Sequence, residues 1–155
     1  MKIKGESNLS GGVQDGDAKR AIRDILRNDI EIHIDTSIKG DRSLSQPIQD
    51  AFSSKGYQTE VSPRSLPNKR VDVYYDDIPI EIDIGSKRTA VLTNLLTLQV
   101  EYEEGHIDGA ILIVPENKED WGDKRWFKTR DWAETEIEKY GSVINLPIWI
   151  VGVSP

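Results

Sequence analysis

The chain has 155 residues and a net charge of −7, with 37% hydrophobic residues, 30% charged residues and no cysteine. This is the make-up of one soluble globular domain, residues 1–155, able to bury about 70% of its unfolded surface. It excludes disulfides and thiolate metal sites. No apolar run approaches the roughly 20 residues of a membrane span, and "MKIKGESNLSGG" lacks the apolar stretch of a signal peptide, so the expected location is the cytoplasm, away from membranes.

Residues 1–15 read as a loose N-terminal segment, broken by "SGG". "DGDAKRAIRDILRND" then has Ala18, Ala21, Ile22, Ile25 and Leu26 at helical spacing, with Lys19, Arg23 and Arg27 along another face. "IEIHIDT" alternates like a short strand. "SLSQPIQDAFSSKGY" reads as a helix, with Ser45 suited to the cap, Pro47 to the first turn and Gly56 to the exit. A strand "YQTEV", a loop "SPRSLPNK" and a hairpin "VDVYYDDIPIEIDIGSK" follow. "TAVLTNLLTLQVEYEEG" is a helix ended by Gly105. "GAILIVP" and "LPIWIVGV" are apolar runs fit for strands buried on both faces, and "DKRWFKTRDWAETEIEKYG" between them is a helix. Strands alternating with helices predict an α/β fold, a central mixed sheet flanked by helices.

The charge is uneven. Residues 1–70 carry 12 Lys and Arg against 10 Asp and Glu, and residues 71–155 carry 8 against 17. A mildly basic first half can face a polyanion, whereas the acidity belongs to the second half, as a solvated surface or as something with a use.

The hairpin concentrates the question. Side chains alternate across a strand, so Val71 and Val73 share one face and Asp72 takes the other, while Ile80, Ile82 and Ile84 oppose Glu81 and Asp83. With Asp76-Asp77 as a two-residue turn, Asp72 lies directly opposite Glu81, and directly opposed Cβ atoms are about 5 Å apart. Three carboxylates on one face would raise one another's pKa. A divalent cation removes that penalty, since hard cations take carboxylate oxygens, water and phosphate. The plainer reading is a polar face of an edge hairpin turned to solvent.

The spacing Asp72, eight residues, Glu81-x-Asp83, with Gly85 and a helix following, resembles the PD-(D/E)xK nuclease superfamily. More narrowly, the set "IQDAFSSKGY", "VDVYYDDIPIEIDIGSK", "LQVEYEEGHIDGAILIVP" and "NLPIWIVGV" resembles the BglII/BamHI group of type II restriction endonucleases. The resemblance covers roughly Ser45 to Val153. It implies a restriction-endonuclease-like core, Mg²⁺ as cofactor with Mn²⁺ able to substitute, and hydrolysis of phosphodiester bonds in double-stranded DNA by a homodimer.

Carried over by position, Asp72 and Glu81 are metal ligands, and Asp83 stands where most of the superfamily has lysine. The resembling group has Gln or Glu there. Asp83 is therefore a further metal ligand, a base for the attacking water, or a sign of lost activity. In the last case the chain is an inactive DNA-binding or protein-interaction module of the same fold, and a third reading is an acidic structural domain with no DNA role. Lys87 and Arg88, just past the hairpin, are placed to meet a phosphate or to replace the missing lysine's charge. With DNA as partner, Lys19, Arg23 and Arg27 become a phosphate track, since each neutralised phosphate releases counterions.

Gln49 and Asp50 are candidates for an accessory polar residue on the helix before the sheet. Asn94 and Gln99 interrupt an apolar helix and suggest a subunit contact. His33 and His106, each in "HID", and Trp126, Phe127, Trp132 and Tyr140 read as structural.

Overall fold

The computed structural model describes residues 1–31, 42–122 and 127–155. Its six strands form one mixed sheet in the order β1-β6-β5-β4-β3-β2. The strands are β1 (Lys2–Leu9), β2 (Gln58–Val61), β3 (Val71–Tyr75), β4 (Ile78–Ile82), β5 (Ala110–Pro115) and β6 (Ile148–Ser154). β4, β5 and β6 run parallel, and antiparallel strands complete both sides. Every residue of β5 and β6 is buried, as their unbroken apolar runs require of strands covered on both faces.

Two helical layers do the covering. On one face α1 (Gly16–Asn28) and α2 (Arg42–Ser54) bring Ile22, Ile25, Leu26, Ile48 and Phe52 against Ile80, Ile82, Ile111 and Ile113. On the other face α3 (Arg88–Glu103) and α4 (Arg130–Lys139) bring Val91, Leu95, Leu98 and Ile137 against Leu112, Ile148 and Ile150. None of the described helices is long and apolar enough to cross a membrane.

Several elements differ from their sequence reading. Residues 2–9 are not loose: β1 pairs antiparallel with β6, Leu9 facing Ile148 and Lys2 facing Ser154. α2 starts at Arg42, so Ser45 lies inside the helix and Pro47 in its second turn; Leu44 gains a place against the α1/α2 core. α4 starts only at Arg130, because the Thr129 side chain accepts from Trp132 N and caps it there. Phe127 precedes that helix and is buried with Trp121 in the α1/α2 layer. The expected strand "IEIHIDT" falls mostly outside the described residues, as do His33 and Trp126.

Some of the acids of the second half are held internally. Arg130 donates through Nε and Nη2 to Glu116 at 2.9 and 3.0 Å and also pairs with Glu134. This fork lies over Gly5 and Gly152, which face each other across β1 and β6. A Cβ on Gly152 would stand 1.8 Å from Glu116 Oε2, so the glycines make room for the ion pair.

Candidate active site

The β3–β4 hairpin has the register read from the sequence. Tyr75 pairs with Ile78 and Val73 with Ile80 around the Asp76-Asp77 turn, where Asp76 takes φ +51°. The ladder stops at Val73 and Ile80. Beyond it the expected alternation fails: Val73 packs in the α1/α2 core, but Val71 packs in the α3/α4 core. Asp72 sits at the break, and its carboxylate stands in for the missing backbone partner. Ile82 N donates to Asp72 Oδ2 at 2.7 Å, and Gln49 Nε2, from α2, donates to Asp72 Oδ1 at 2.8 Å.

The next strand supplies the other acids. Glu81 pairs with Leu112 of β5, and the ladder to β5 continues as Asp83 N donates to Ile113 O at 2.9 Å. The chain then turns at Gly85, whose φ of +82° lies in the left-handed region that favours glycine, and enters α3. Glu81 and Asp83 are each 2% exposed. Glu81 and Asp72 are close enough that each one's charge disfavours the other's ionised form. Asn94 Nδ2 donates to Asp83 Oδ1 at 3.4 Å. Glu81 Oε1 and Asp83 Oδ2 are buried and have no hydrogen-bond partner.

The charged forms are correspondingly disfavoured. Burial, with the charges of Asp72 and Asp83 adding to it, pushes Glu81 well above the usual carboxylate range. Burial pushes Asp72 up to about 7 against the pull of the Ile82 N–H, with Asp83 and Glu60 adding to the rise. Burial likewise pushes Asp83 up to about 6, although Ser86 and Asn94 pull the other way. Among the described residues no Lys or Arg bonds any of the three. Nor do three His, Cys, Asp or Glu side chains gather closely enough to hold a metal unaided. The available set is hard oxygen donors, two of them orphaned, which fits a cation that completes its shell with water and substrate phosphate.

The sequence profile of the restriction endonuclease BglII/BglIII family matches residues 8–153. The chain belongs to that family. It is thus a DNA-hydrolysing endonuclease of the type II restriction class, in a family that generally uses divalent metal ions. No curated protein sequence matches it. Two solved structures are similar in fold. The crystal structure of restriction endonuclease BglII complexed with a DNA 16-mer aligns at a TM-score of 0.77 and 16% identity, over 98% of this chain and 76% of that one. Free BglII aligns at a TM-score of 0.70 and 18% identity, over 100% of this chain and 80% of that one.

Against the BglII-like fold the remaining candidates sort by their partners. Lys87 is the exposed N-cap residue of α3, in extended backbone conformation. Arg88 is exposed but paired: Nη2 donates to Glu136 at 2.6 Å and to Tyr140 Oη at 3.2 Å, so it ties α3 to α4. In the basic stripe, Lys19 donates to Asn8 and Arg23 forms a double hydrogen bond with Glu6, and both lie over the Trp149 ring. These two hold α1 to β1 and β6, and Arg27 remains exposed. Gln99 accepts from Asn145 N and Leu146 N and donates to Asn145 Oδ1 and Glu103 Oε1, so its polarity is spent within the chain. Asn94 donates to Asp83 Oδ1. His106 hydrogen-bonds Ser65 beside the buried Glu101, a structural role as read.

Two neighbours of the acids escaped the sequence reading. Ser86 could have been found as the hydroxyl three residues past Asp83 in the same turn. Glu60 had no local signal: it lies beside Asp72 because β2 pairs with β3, and it takes φ +54° inside a strand.

Proposed function

We propose that this nuclease cleaves double-stranded DNA with Mg²⁺ as its cofactor, Mn²⁺ substituting, and that Asp72 and Glu81 hold the cation with Asp83 beside them. The observation that carries this reading is the pair of orphaned buried oxygens, Glu81 Oε1 and Asp83 Oδ2, in a cluster to which no cationic side chain is bonded among the described residues. When bound, a divalent cation supplies a water of lowered pKa and a counter-charge for the crowded phosphate of the transition state. The protein groups do the rest. Glu81 and Asp72 would present their carboxylate oxygens to the cation. Asp83 Oδ2 orients the attacking water or takes its proton, acting as general base. Lys87, at the start of α3, meets the scissile or the neighbouring phosphate, and Arg27 contacts the backbone.

The active species in this proposal is a cytoplasmic homodimer, whose two-fold axis matches symmetric DNA. α3 supports it. Leu96 is 44% exposed, and Leu92 and Val100 on the same outer side are half-buried, so the helix keeps an apolar face beyond the one it spends on the core.

Plasmid DNA incubated with the protein in Mg²⁺, in Mn²⁺ and in EDTA tests the proposal. Cleavage in either cation and none in EDTA is expected. Duplex binding without cleavage in any condition would favour the inactive module that Asp83, in place of lysine, also suits.

A further inference from the structure

The run from Val61 to Val71, "VSPRSLPNKRV", holds three cations and no acid, in a chain whose net charge is −7. It forms the loop between β2 and β3, and Arg64, Lys69 and Arg70 are all exposed. Other arginines are spent on acids: Arg20 pairs with Asp17, Arg23 with Glu6, Arg88 with Glu136 and Arg130 with Glu116. Among the described residues no carboxylate pairs with a cation of this loop.

The loop does not need these charges for its shape. The buried Glu101 of α3 accepts from Ser65 N at 2.6 Å and from Arg64 N at 3.1 Å, and Lys69 N donates to Leu66 O at 2.9 Å. Arg70 donates to Lys69 O at 2.8 Å, to Pro67 O at 3.1 Å and to Ser62 Oγ, all through Nη1. Its acceptors are neutral, so its charge stays uncancelled. Nε and Nη2 keep their N–H groups. The same edge of Arg23 grips both oxygens of Glu6, and on Arg70 it is open to two oxygens of a phosphate.

The place is as telling as the charge. Val61 and Val71 are the last β2–β3 pair, and Asp72 follows at once. Arg70 is two residues from Asp72, about 7 Å of extended chain at most. β3 and β4 are antiparallel, so this end of β3 lies where β4 leads into Asp83 and α3 begins. Arg64 is elsewhere: it shares a cavity with Asp77 and Ile107, at the hairpin-turn end of the sheet.

We infer that Lys69 and Arg70 form a clamp on the DNA backbone beside the cation site, Arg70 gripping one phosphate through Nε and Nη2 and Lys69 meeting a neighbouring one as a point charge. The inference rests on reading Asp72 and Glu81 as the place of cleavage. A polyanion has to approach three acids there, and the loop supplies the local positive charge that draws it in.

The test is binding of a short fluorescein-labelled duplex in EDTA, where nothing is cleaved, read by anisotropy over a series of KCl concentrations. Each neutralised phosphate contributes about 0.9 to the slope of log K against log salt. Lys69→Gln combined with Arg70→Gln should lower that slope by about 2. Arg64→Gln, at the far end of the same loop, should leave it unchanged. Should the double variant fold poorly, Lys69→Gln alone should lower the slope by about 1. The parent's slope in the Lys69 and Arg70 variants overturns the inference, as does an equal fall in Arg64→Gln or a parent that binds no duplex. Cleavage is scored separately in Mg²⁺ and Mn²⁺. A slope that falls as expected in a protein that cleaves nothing supports the contact and strikes the cation site alone.

Discussion

Two groups of carboxylates sit near this sheet under opposite conditions. Glu116 and Glu134 are partly buried and share Arg130, which donates to both and is itself held by them. Glu81 and Asp83 are more deeply buried and Asp72 beside them is half-buried; among the described residues no arginine or lysine is bonded to the three, and two oxygens are left orphaned. The first group is internally neutralised, so its job ends in holding α4 to β1 and β5. The second costs stability as it stands, and its penalty is removed by something the chain does not itself supply. Buried charge without a partner is a sign of function where paired charge is a sign of architecture.

The sharpest break between the groups is catalytic. Glu81→Gln removes an anionic ligand while copying the neutral acid in shape. Plasmid cleavage in Mg²⁺ should fall to background, while the melting temperature in EDTA stays close to the parent's. Asp83→Asn should lose about 10²–10⁴-fold of the cleavage rate by removing a general base, and Asp83→Glu should keep part of it. In the other group, Arg130→Leu strands Glu116 and Glu134. Urea unfolding should show a loss of about 3 kcal/mol, with the cleavage rate per folded molecule retained.

The two groups also separate by pH. The ordinary aspartate value is 3.8, and the folded protein holds Asp83 at about 6 and Asp72 at about 7. Between these limits the unfolded chain releases protons that the folded chain keeps, so metal-free stability falls as pH rises from about 4 to 7. The melting temperature in EDTA should be higher at pH 5 than at pH 8. Asp72→Asn should flatten that difference, and Arg130→Leu should leave it intact. The smallest effect is steric: Gly152→Ala should cost about 1–3 kcal/mol by pressing a methyl group against Glu116, again without changing cleavage per folded molecule.

How much of this was legible beforehand follows from what is local. The hairpin register and the buried strands β5 and β6 are written in short runs of sequence, and they stand as read. β1 was not legible, because "KIKGESNL" has only Ile3 and Leu9 as apolar residues and its partner strand lies at the far end of the chain. The break at Val71, the left-handed Glu60 and the reach of Gln49 to Asp72 are products of tertiary packing, which no residue announces by type. The basic stripe was legible as a pattern, but its use was not. Lys19 and Arg23 answer to Glu6 and Asn8 of a strand the sequence did not announce and to Trp149 at the far end of the chain.

The claim that the unpaired acids form a cation site is tested most directly by a crystal structure of the protein soaked in Mn²⁺, located by anomalous scattering. The account predicts a peak bonded to carboxylate oxygens of both Asp72 and Glu81, at about 2.0–2.2 Å for a hard divalent cation of this size. No peak there at saturating Mn²⁺, or Asp72 and Glu81 carboxylates on opposite faces of the sheet, would contradict it.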